Sequence, residues 1–178
     1  MGIVKAGVWI LPSLFATIAA ITDWRSRRIP NWLTLSGLAA GILINTALEG
    51  WRGTKMSLLG AILGLALLLP FVLIRSLGAG DWKLMGALGA LLGPRHLMTV
   101  LIATILLAGV MAFGLIIWKG RLWQTVRNIG RMIAALFSFH LPGQEVSLDN
   151  PNALKIPFGV AVALAVIVCT AGNLWGTV

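Results

Sequence analysis

A chain of 178 residues that is 58% hydrophobic and only 11% charged carries less than half the charge density of a typical soluble domain, in which roughly a quarter of residues are charged. The length suits one domain, and the composition excludes an ordinary water-soluble fold and makes the bilayer the expected solvent. The formal charge of +9 does not point to nucleic acid, because the basic residues are scattered between apolar runs, and a single cysteine, Cys169, excludes a disulfide framework or thiolate metal cluster.

Residues 6–22 form the first charge-free apolar run, long enough for a short or tilted span at about 1.5 Å per helical residue. Lys5 precedes it, but no small-x-small cleavage pattern follows, so a retained span is expected rather than a signal peptide. Residues 23–31 (Asp23, Trp24, Arg25, Ser26, Arg27, Arg28, Ile29, Pro30, Asn31) read as a polar turn in which Pro30 separates two helices. A second span is expected over 32–48, a mixed-charge connection over 49–55, and a third span over 57–74 with a kink at Pro70.

The chain then enters Gly78-Ala79-Gly80-Asp81-Trp82-Lys83. Residues 80–93 make a marginal fourth span, Pro94-Arg95-His96 turns it, and 97–118 is the longest run. Residues 119–155 contain an amphipathic pattern, with Leu122, Val126, Ile129, Ile133 and Leu136 on one helical face, expected to lie in the interface and to be followed by a loop. Residues 156–175 form the last span, opening with Pro157 where helices tolerate proline. The expected fold is therefore all-α, a single compact bundle of about six transmembrane helices plus one interfacial helix. Gly37 with Gly41, Gly60 with Gly64, and Gly86 with Ala90 repeat the small-xxx-small spacing of closely packed membrane helices.

With the amino terminus outside, ten of the fourteen basic residues fall on the cytoplasmic side, which sets the expected orientation. The parity of the spans then brings Asp23 and Asp81 to the same cytoplasmic depth. Glu49, Glu145 and Asp149 lie in loops, where solvation accounts for them. A carboxylate at membrane depth is costly and is normally paired, wet or functional. Two that meet tend to share one proton, leaving one member as general base and the other as general acid, and such a pair can activate water against an amide. The bland alternative is that each acid pairs with a neighbouring base, Asp23 with Arg25 or Arg27 and Asp81 with Lys83. Gly78 and Gly80 are expected to supply unusual backbone angles and room for a peptide strand. His96 falls on the far side and His140 in a loop, so neither joins the acids as a metal ligand.

Asp23 with Arg27-Arg28-Ile29-Pro30-Asn31, followed three spans later by Gly78-Ala79-Gly80-Asp81-Trp82-Lys83, resembles the type IV prepilin peptidases, intramembrane aspartyl proteases of the glycine-x-glycine-aspartate class. Residues 155–159 also look like the family's last span. The resemblance implies that Asp23 and Asp81 are the catalytic pair and that Gly78, Gly80, Lys83, Pro30 and Asn31 belong to the motifs around them. It further implies a pilin-like precursor as partner in the lipid bilayer of the inner membrane, no nucleic acid, and neither metal nor cofactor. Without CxxC pairs, the chain looks like a short form without the methyltransferase domain. A proton-coupled transporter also uses paired carboxylates, but would favour an internal repeat with the acids near the midplane.

Overall fold

The computed structural model describes residues 2–73, 77–120 and 157–174, with the isolated positions 123, 125, 127 and 130. They form an all-α membrane protein of five helices: α1 (Gly2–Ser26), α2 (Asn31–Glu49), α3 (Trp51–Leu73), α4 (Ala79–Trp118) and α5 (Phe158–Leu174). Three of these, α2, α3 and α4, are long and apolar enough to cross a membrane. The exposed faces are rich in large apolar side chains, such as Leu35, Leu43, Ile62, Ile102 and Leu106, as expected where the surrounding medium is lipid.

Six separate spans were expected, and the described residues show two of them joined. Residues 80–93 and 97–118 are the two arms of α4, broken at Gly93, whose backbone (φ 72, ψ 171) is closed to other residues, directly before Pro94. The connection expected over 49–55 shrinks to one residue. Gly50 (φ 59) ends α2 by donating its N–H to Thr46 O at 2.8 Å, and α3 begins at Trp51. The polar turn expected over 23–31 is shorter as well, because α1 continues through Asp23 to Ser26. Arg27, in the left-handed region at φ 50, ends it with its N–H on Asp23 O at 2.8 Å, and Pro30 then caps α2. The expected interfacial helix and loop, with His140, lie outside the described residues apart from scattered positions.

The helices pack in two groups around α4. α1 lies along α5, and α2 and α3 lie along the first arm of α4. Small residues set these distances. A Cβ at Gly60 would run into the Gly89 carbonyl, and one at Gly41 would meet the Ala90 backbone at 2.6 Å. At the same level, Asn45 Nδ2 donates to Ser57 Oγ at 2.8 Å and Ala90 O at 3.0 Å, while the fully buried Ser57 hydroxyl lies 2.8 Å from Ala90 O. These bonds tie α2, α3 and α4 together. Leu84, Met85, Leu88, Leu97, Val100, Val162 and Val166 fill the centre between the groups.

Candidate active site

The site lies where the last turn of α1, the first turn of α4 and the first turn of α5 meet. Asp23, on α1, is buried at 7% exposure. Its Oδ2 accepts the backbone N–H of Gly159, at the start of α5, at 2.8 Å. Asp81 occupies the third position of α4, half-buried, and its carboxylate accepts the backbone N–H of Gly78. That is one half of a capping box, in which an acid at N3 reaches back to the N-cap residue. Asp23 and Asp81 lie close enough for the charge of one to act on the other. Each carboxylate is thus held by an N–H at a helix start, where the peptide dipoles favour negative charge.

The remaining motif residues serve this meeting in different ways. Gly78 is extended (φ −69, ψ 142) and Gly80 is helical, so neither uses the unusual angles expected of it. Lack of a side chain matters instead. A Cβ at Gly78 would stand 3.0 Å from Asp81 Oδ2, and one at Gly80 would stand 3.3 Å from Ile29 Cβ, in the α1–α2 connection. The strand that Gly80 admits in this structure is the protein's own. Pro30 and Asn31 open α2. Lys83 is two residues from Asp81, about 200° around a helix, and its Nζ donates to Asn31 Oδ1 at 2.9 Å. It therefore braces α4 against α2 and does not form the simple ion pair with Asp81. The Lys83–Asn31 pair lies beside a groove of about 240 Å³ also lined by Thr34, Leu38, Leu65 and Gly86.

Arg27 is the cation whose charge acts on Asp23, so of the alternatives read from the sequence this one is present in part. His96 packs edge-on against Trp9, with ring centroids 5.3 Å apart. Trp9 lies fourteen residues back along α1 from Asp23, about 21 Å at helical rise. Among the described residues no group of three His, Cys, Asp or Glu side chains is placed to hold a metal.

Gly159 carried no role in the sequence reading beyond its place in the last-span resemblance. Nothing local could have tied it to Asp23, 136 positions away. The Gly78–Asp81 bond left a clearer trace, since glycine followed three residues later by an acid before an apolar run is the spacing of a helix start.

Comparison with known proteins places the sequence in a family. The sequence model of the type IV leader peptidase family matches residues 10–113, which include both acids. The chain is 35% identical over 136 residues to a prepilin leader peptidase/N-methyltransferase of Dickeya chrysanthemi, covering 72% of this chain and 44% of that protein. It is 34% identical over 118 residues to the protein of the same description from Aeromonas hydrophila, covering 62% and 39% respectively. The chain thus spans less than half the length of these curated relatives. No solved structure matches it significantly.

Proposed function

The chain belongs to the type IV leader peptidase family, and we propose that it is an aspartic endopeptidase that removes the leader peptide from a pilin-like precursor. The observation that carries the reading is the meeting of Asp23 and Asp81 within electrostatic range, each held by a backbone N–H. Family membership supports peptidase chemistry in pilin maturation, and these two acids are the groups suited to perform it. The mechanism follows from a pair that shares one proton. Asp23, beside Arg27, is the ionised member and takes a proton from water as the water oxygen bonds to the scissile carbonyl carbon. Asp81 gives its proton to the carbonyl oxygen. The resulting gem-diol collapses as Asp23 passes its new proton to the leaving nitrogen, the C–N bond breaks, and Asp81 recovers the hydroxyl proton. The products are a carboxylic acid and an amine, and the pair returns to its starting state.

Both acids sit at helix ends, Asp23 in the last turn of α1 and Asp81 in the first turn of α4. That favours a substrate cut at the membrane boundary over a proton carrier, whose acids would lie near the midplane. On this reading the bundle has about six spans, with the site on the cytoplasmic face of the inner membrane, where a basic leader would lie. In a Cys169→Ala background, Ser26→Cys should react with an impermeant thiol reagent only after the membrane is opened, and Arg52→Cys should react in intact cells. Labelling of Ser26→Cys in intact cells would overturn the orientation. The activity itself is tested by incubating the purified protein in detergent with a prepilin and weighing the products. Two fragments that together equal the precursor plus one water are expected, and an intact precursor in the presence of folded enzyme would contradict the proposal.

A further inference from the structure

Asp23 is badly placed to be an anion by its own helix. It lies in the last turn of α1, where unpaired carbonyls give the helix its negative end and disfavour a carboxylate. Its compensation arrives from α5. The Gly159 N–H is in that helix's first turn, so it has no acceptor within α5 and must find one outside; the acceptor is Asp23 Oδ2, at 2.8 Å in a buried contact. The approach is possible only because residue 159 has no side chain, since a Cβ there would stand 3.0 Å from both Asp23 Cβ and Asp23 Oδ2. Glycine is not required by the backbone angle at this position, which lies outside the left-handed region. Closeness to Asp23 is what distinguishes it.

We infer that the backbone N–H of Gly159 is a positioning group of the reaction, one that ties down Oδ2 of Asp23 and leaves Oδ1 as the oxygen that takes the proton from water. The inference rests on the aspartic peptidase reading. A carboxylate with one oxygen fixed cannot rotate about its Cβ–Cγ bond, so its free oxygen keeps one direction relative to Asp81. Among the described residues, the charged groups facing Asp23 are Arg27, directly after α1, and Asp81 from α4. From α5, the described contact is the N–H of Gly159. That N–H favours the ionised form of Asp23, which the base must have.

The test replaces Gly159 by glycolic acid in the full chain, turning the 158–159 amide into an ester. This removes the N–H and adds no atoms toward Asp23. Because that N–H is not an intrahelical donor, the ester variant should still fold and should melt in detergent only a few degrees below the parent. Its kcat on a prepilin should fall about tenfold with KM unchanged, and the acid limb of its pH profile should move up by about one pH unit, the equivalent of one lost charge-assisted bond. Gly159→Ala keeps the N–H but pushes the carboxylate away, and should also lower kcat at constant KM. An ester variant with the parent's kcat and pH profile would overturn the inference while leaving the peptidase reading intact. So would an ester variant that fails to fold, since the bond would then be a structural tie. A parent that does not cleave prepilin would show instead that the reading beneath both is wrong.

Discussion

Arg27 carries two burdens at once. As a non-glycine residue at φ 50 it pays a steric cost of roughly 1 kcal/mol for ending α1 in the left-handed conformation, and its guanidinium acts on Asp23. Glycine would serve the turn better and the charge not at all. Arg27→Gly should therefore leave the melting temperature equal or slightly raised while lowering kcat about threefold, the scale expected for an exposed charge acting on a neighbour. Arg27→Lys should keep most of the activity. If Arg27→Gly cleaves prepilin at the parent rate, the charge has no part in the reaction and the residue is only a helix stop. Both carboxylates, likewise, were legible as single residues, since few acids interrupt a chain this apolar. What fixes the Asp23 oxygen was not, because its partner is a backbone N–H 136 positions away, a group that every residue except proline possesses, whereas the Gly78–Asp81 spacing at least marks a helix start.

At the level of elements, the start of α4 is seated by contacts on two sides: Gly80 against Ile29, and Lys83 with Asn31. The glycine pair was expected to give backbone freedom for a substrate strand. Ordinary angles at Gly78 and close packing at Gly80 assign that freedom no role here. Gly80→Ala needs Ile29 to give by only a few tenths of an ångström and should retain much of its activity. Gly80→Val places branched carbons into Ile29 and should destabilise the protein by about 1–3 kcal/mol, lifting Asp81 away from Asp23 and reducing cleavage more than the fall in folded protein explains. Ile29→Ala added to Gly80→Val should restore part of both. The absence of any rescue, with both variants assayed at equal folded protein, would show that the Gly80–Ile29 contact does not seat the helix. Helix boundaries were less legible than helix faces. The single-residue reversal at Gly50 and the broken α4 depend on positive φ at one glycine each, and a pattern of apolar residues does not reveal which glycine takes it.

For the molecule as a whole, the α1–α5 group carries Asp23, and the group of α2, α3 and the first arm of α4 carries Asp81. Catalysis on this account depends on the two groups meeting at one end, where the last turn of α1 and the first turn of α4 come together. The chemistry of the pair separates cleanly from its structural duties. Asparagine keeps a side-chain oxygen that accepts the Gly159 or Gly78 N–H, but it neither gains nor loses a proton at working pH. A helix-start or buried-tie role alone would survive the exchange, whereas proton transfer would not. The decisive measurement is prepilin cleavage by Asp23→Asn, Asp81→Asn and the double variant, each at equal membrane-inserted protein. The account predicts that either single exchange abolishes leader removal without loss of folded protein, and that the double variant is hardly worse, because residues acting as a unit are not additive. Substantial cleavage by either single variant would contradict it.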